Sequence, residues 1–205
     1  MCKVLSDLVR DLLGVCHVLS RNTFMPGIHP APGTDNSSES WSVQNNCTYY
    51  QLLVILEPPP GCSFSLDTTR QLPARCSGIR VLQECTCSRQ QLLGNTLCFL
   101  HPAGNELLSE QSWNALSILC TGSYLDMEKI AYWVQMLVRE AWWHLPQSYW
   151  WQLTVLPSRQ SCRFQLTTPC EMQTYIELVF AVQQGSTGTY PSLQQAVANL
   201  PSSTA

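Results

Sequence analysis

Tyr49-Tyr50-Gln51-Leu52-Leu53-Val54-Ile55-Leu56, closed by Glu57 and the stop Pro58-Pro59-Pro60-Gly61, is the stretch on which the fold turns. A short apolar run with so rigid an end reads as a buried strand. Cys62 to Leu66 and Ile79 to Cys87 are further strand candidates, the second placing Val81, Gln83, Cys85 and Cys87 on one face. Helical signals then run from Arg89 to about Cys120.

Upstream, Met25 to Asn46 is rich in Pro, Gly, Ser, Asn and Asp, including Pro26-Gly27 and Pro32-Gly33, and reads as a long loop. Loops of that length are uncommon in compact domains and are usually functional or disordered. Before it, Leu5, Leu8, Leu12, Cys16 and Leu19 recur at three- and four-residue steps around Asp7, Arg10 and Asp11, which predicts a helix over about residues 2–21 with one buried face.

The strongest helical pattern spans Asp126 to His144. Ile130, Trp133, Val134, Leu137, Val138, Ala141 and Trp142 form an apolar stripe, Asp126 stands at its start, and Pro146 ends it. Trp151–Leu156, Cys162–Thr167 and Thr174–Val182 follow as three strands with short connections, the pattern of an antiparallel meander. After Gln184 the chain is rich in Gly, Ser, Thr and Pro, with one helical turn set near Leu193 to Leu200. It reads as a tail without a core of its own. The order helix, strands, helices, strands indicates an α+β fold with a mixed or antiparallel sheet flanked by helices.

Composition limits the function classes. Of 205 residues, 45% are hydrophobic and 12% charged, about half the usual charged share. A disordered solvating tail is excluded; the surface is either polar and uncharged or built to be covered. Eleven Lys plus Arg against fourteen Asp plus Glu give a net charge of −3, so the basic footprint of nucleic-acid binding is missing. No apolar run approaches the roughly 18 residues of a membrane span, and Lys3, Asp7, Arg10 and Asp11 interrupt what would be a signal peptide. The eleven cysteines are odd in number, and two N-x-[ST] sequons begin at Asn36 and Asn46. Without a secretion signal, reduced thiols in a soluble, cytoplasmic chain are the expectation.

Candidate chemistry is sparse. Asp126-Met127-Glu128, after Gly122-Ser123, superficially copies the Gly-Ser and paired acids of metal-dependent nucleotidyl transfer. On a helix, residues two apart point about 200° apart, so capping explains these acids better than ligation. Cys85, Cys87, Cys98 and His101 could be assembled as a zinc site, but their spacing matches no standard finger; small core residues with a His at a helix end are the better reading. No G-x-S-x-G, P-loop, G-x-G-x-x-G or H-E-x-x-H occurs. In Trp142-Trp143 and Trp150-Trp151, one ring of each pair is expected near the surface, as edge packing or as a contact with another lobe or partner.

Several segments together carry a resemblance: Leu52 to Gly61, Glu84-Cys85-Thr86-Cys87, Leu97 to His101, Leu119 to Asp126, and Phe180 to Gly185. In this order, over nearly the whole chain, they resemble the inositol trisphosphate receptor-interacting protein-like family. The resemblance implies a male abnormal 21 (Mab)-type domain similar in fold to cyclic GMP-AMP synthase, a nucleotidyltransferase lobe followed by a helical lobe. It also implies that Asp35-Asn36 stands where active relatives carry Gly-Ser, with Gly33-Thr34 as an alternative placement. The paired metal-binding acids fall on Tyr49 and Gln51, and only the third position, Glu177, is acidic. One carboxylate supplies too little charge for two divalent ions.

The expectation is therefore a nucleotidyltransferase-like lobe over residues 1–184 without catalysis, cofactor or metal. Residues 185–205 are expected as a flexible tail or the truncated start of a largely missing helical lobe. A protein-interaction or scaffold role is implied, with protein partners such as a membrane receptor or channel, membrane association, and no nucleic acid. The rival expectation is a residual nucleotidyltransferase or nucleotide sensor using Glu177 with Asp35. Family members typically extend upstream and downstream, so this chain is expected to be a fragment, a truncated product or a family remnant.

Overall fold

The apolar run from Leu52 to Leu56 lies at the centre of a sheet, as its composition demands. A computed structural model describes residues 2–21, 25–32, 39–44, 47–59, 61–67, 76–83, 116–183 and 192–193. Helix α1 (Cys2–Arg21) is followed by strands β1 (Gly27–Pro30), β2 (Glu39–Gln44), β3 (Cys47–Glu57), β4 (Cys62–Leu66), β5 (Cys76–Gln83), β6 (Cys120–Thr121) and β7 (Tyr124–Asp126). Helix α2 (Met127–Trp142) and a 3-10 turn (Pro146–Tyr149) lead into β8 (Gln152–Leu156), β9 (Cys162–Thr167) and β10 (Gln173–Val182).

One sheet has the order β1-β3-β10-β9-β8, with β2 also on β3; a second has the order β4-β5-β7-β6. The fold is α+β and the larger sheet is mixed. β8, β9 and β10 form the expected antiparallel meander, while β10 runs parallel to β3. α1 and α2 cover one face of the larger sheet. Leu8, Leu12 and Cys16 of α1 and Ile130, Val134 and Val138 of α2 meet Leu52, Phe164, Leu178 and Phe180 in one buried cluster.

The long-loop expectation for Met25 to Asn46 is corrected. Gly27–Pro30 pairs antiparallel with Val54 to Glu57, burying Ile28, and Glu39–Gln44 pairs antiparallel with Cys47 to Leu52. Trp41 stacks on Tyr50 with ring centroids 4.1 Å apart, which anchors β2. Arg10 of α1 pairs with Glu39 at 2.8 Å.

The helical expectation up to Cys120 is corrected at its end, where Cys120–Thr121 is a strand. The two-residue turn Gly122-Ser123, with Gly122 at φ +63°, folds it back on β7. That glycine-serine pair is thus a hairpin turn. The rest of that stretch, including Cys85, Cys87, Cys98 and His101, lies outside the described residues. Asp126 is the N-cap of α2, accepting hydrogen bonds from the Glu128 and Lys129 backbone N–H groups and from Thr121 Oγ1.

Trp142 is buried and Trp143 exposed; Trp150 is exposed and Trp151 half-buried, the split expected of adjacent residues. Most of the tail lies outside the described residues, but Ser192 bridges Ala181 and Leu193 is buried in the main cluster.

Candidate functional site

Alternation sends every second residue of the larger sheet away from the helices. Strand register then sets these residues in rows. One row runs Ser40, Gln51, Glu177, Arg163, Leu156 across β2, β3, β10, β9 and β8. The next runs Ser42, Tyr49, Tyr175, Gln165, Thr154. Apart from the Glu177–Arg163 pair, both rows are uncharged. Toward the other end of the strands, the same side carries a small apolar cluster of Ala31, Ile55 and Ala181, with Leu53 against it.

All of these row residues except Gln165 and Thr154 line a cavity of about 410 Å³, within the range of small-ligand sites. Glu177 is its centre. Gln51 Nε2 donates to Glu177 Oε2 at 3.2 Å; Ser161 Oγ and Arg163 Nε donate to Oε1 at 2.7 and 2.8 Å. Burial pushes the Glu177 carboxyl up, but the hydrogen bonds from Ser161, Arg163 and Gln51 and the Arg163 charge outweigh it and hold the group below its ordinary value. Behind Ser161, Ser158 Oγ lies 2.9 Å from Ser161 Oγ, and the Ser158 carbonyl accepts from Gln135 Nε2 of α2 at 2.9 Å. Tyr49 and Tyr175 stack with centroids 5.1 Å apart.

The structure thus brings Tyr49, Gln51 and Glu177 together in one cavity, on neighbouring strands that meet only through the β3–β10 pairing. Asp35 and Asn36, with Gly33 and Thr34, lie outside the described residues. Among the described residues, no three His, Cys, Asp or Glu side chains are grouped to hold a metal. Glu177 already accepts three hydrogen bonds, which take up most of its lone-pair capacity. Among the described residues, the cavity offers hydroxyls, an amide, one ion pair and two aromatic rings, and no paired carboxylates.

Ser40, Ser42, Ser161, Arg163 and Tyr175 belong to the site and were not singled out from sequence. The alternation Ser40-Trp41-Ser42-Val43 and that of Cys162–Thr167 contained the signal for three of them, Ser40, Ser42 and Arg163. Sequence alternation assigns faces but leaves the neighbouring strand unspecified.

No family model matches the chain. Among curated proteins, inositol 1,4,5-trisphosphate receptor-interacting protein-like 1 from Rattus norvegicus is 31% identical over 191 residues, which cover 92% of this chain and 35% of the relative. The protein of the same name from Mus musculus is 32% identical over the same shares. The chain therefore spans about a third of the length of the curated relatives it matches.

Proposed function

The chain belongs to the inositol trisphosphate receptor-interacting protein-like family, and from that premise we propose that it is a catalytically inactive, nucleotidyltransferase-like lobe serving as a protein-interaction or scaffold module. The observation that carries this reading is the state of the Glu177 carboxylate. Its neighbours at the expected acid positions are Tyr49 and Gln51, and Gln51, Ser161 and Arg163 use both of its oxygens. An acid satisfied by its own protein has little to offer two divalent ions, whose hydration must be replaced by several charged oxygens.

The relatives' name describes receptor interaction. By kinship the partner of this chain is a protein, with a membrane receptor or channel as the first class to test, and the full protein works in association with membranes. Among the described residues no helix is long and apolar enough to cross a membrane. Residues 1–184 form the lobe in this reading, and 185–205 its tail or the start of a helical lobe.

Titration calorimetry with ATP or GTP and magnesium tests the proposal. The expected result is no micromolar heat of binding. A micromolar isotherm that disappears in Glu177→Ala or Gln51→Ala refutes it, because the cleft would then be a working nucleotide site.

A further inference from the structure

Serine is the short member of each row that crosses the open cavity. Ser40 stands opposite Gln51 and Ser42 opposite Tyr49, so β2 leaves a recess beside the longer side chains of β3. Tyr49 stacks on Tyr175 from the side of β10. Its other ring face, turned toward β2, therefore meets only Ser42 in its row. With Tyr49 39% exposed, that face is an aromatic surface open to a ligand.

Around this recess, hydrogen-bonding capacity is in surplus. Among the described residues, no side-chain hydrogen bond engages the hydroxyls of Ser40, Ser42 and Tyr49, while Gln51 uses Nε2 and Arg163 uses Nε, both on Glu177. That leaves hydroxyls that both donate and accept, an amide oxygen that accepts and two guanidinium nitrogens that donate. Charge selects further. The lining contains one carboxylate, Glu177, and one cation, Arg163, in contact at 2.8 Å, so their formal charges cancel. An anion would meet the carboxylate and a cation the guanidinium, each losing hydration without a surplus counter-charge.

We propose that the recess binds a neutral sugar, a pyranose ring seated over Ser40 and Ser42. Its C–H face lies on Tyr49, and its hydroxyls are shared among the serines, the Gln51 amide oxygen and the terminal nitrogens of Arg163. A flat base would use the tyrosine face but match fewer of the surrounding polar groups. Sugar binding here rests on the reading above of a cleft without bound metal and nucleotide.

Saturation-transfer NMR of the full chain with the methyl glycosides of glucose, galactose, mannose and N-acetylglucosamine at millimolar concentration should show transfer to at least one of them, strongest at the C–H protons of one ring face. For that glycoside, Tyr49→Ala should weaken binding at least about tenfold, whereas Tyr49→Phe, which keeps the ring, should retain most of it. Ser42 is exposed, and Ser42→Phe should abolish binding by filling the recess, with circular dichroism matching the wild type throughout. Transfer to none of the glycosides overturns the proposal, as does binding that survives Tyr49→Ala and Ser42→Phe, or binding of adenosine or uridine in preference to every glycoside. The calorimetry with magnesium and ATP or GTP separates the two readings: a nucleotide isotherm refutes the inactive lobe, while silence in both experiments removes only the sugar site.

Discussion

Tyr49 and Tyr50 are consecutive residues with opposite fates. Tyr50 is 1% exposed, stacked under Trp41 on the helix-covered face, whereas Tyr49 is 39% exposed and stacked on Tyr175 in the open cavity. The same division runs along β9, where Cys162, Phe164 and Leu166 are buried while Arg163, Gln165 and Thr167 face the other way. One face is built from shape and apolar area; the other carries hydroxyls, amides and an ion pair around the cavity and a small apolar cluster toward its far end. The contrast teaches that core packing and the polar lining of the cavity occupy alternate residues of the same strands, so neighbouring substitutions should have unrelated consequences.

The largest consequence is expected at Phe164. It is fully buried between the sheet and α2, and Phe164→Ala should cost about 3–5 kcal/mol of stability, read as a lower midpoint in equilibrium urea denaturation. A loss below about 1 kcal/mol would mean that the helices do not close over this face.

Glu177 should give a smaller, pH-dependent effect. Its folded carboxyl is held below the ordinary value, so on acidification the unfolded chain takes up the proton first. The stability contributed by its hydrogen bonds is present above the ordinary carboxylate range and is lost as pH falls through the folded value. Wild type should exceed Glu177→Gln by about 1 kcal/mol near neutrality, and the gap should close in strong acid. Denaturation midpoints of the two proteins at matched pH check this; a gap that grows on acidification would reverse the sign.

The smallest effect belongs to Ser42, which is exposed on the polar face opposite Tyr49. Ser42→Ala should change stability by no more than about 0.5 kcal/mol in the same denaturation assay, despite lying one residue from Trp41 in the packed cluster.

Much of this architecture could be read locally. The Ile130, Val134, Leu137, Val138 stripe and the alternation in Cys162–Thr167 encode α2 and β9 in a few residues each, and Asp126 caps α2 as its position suggested. β1 and β2 escaped because Pro26-Gly27, Pro30 and the Asn-Ser-rich surroundings of Glu39–Gln44 look like turns. Their strand character comes from pairing with β3, which no local pattern reports. The site shows the same limit. Tyr49, Gln51 and Glu177 were connected only through a family resemblance, because nothing in either segment says that β3 and β10 are neighbours. Arg163 and Ser161 became visible as partners of Glu177 only in the assembled sheet.

The parallel pairing of β3 with β10 also sets a timetable for synthesis. Gln51 and Glu177, side by side in the finished sheet, are 126 residues apart in the chain. At ordinary elongation rates of about 5–20 residues per second, β10 leaves the ribosome roughly 6–25 s after β3. β1 and β2 precede β3 and can occupy one of its edges at once, but the other edge, beside the most apolar run in the protein, stays open for that interval. An unpaired apolar strand edge is prone to aggregate, and slower translation between codons 58 and 172 would lengthen its exposure.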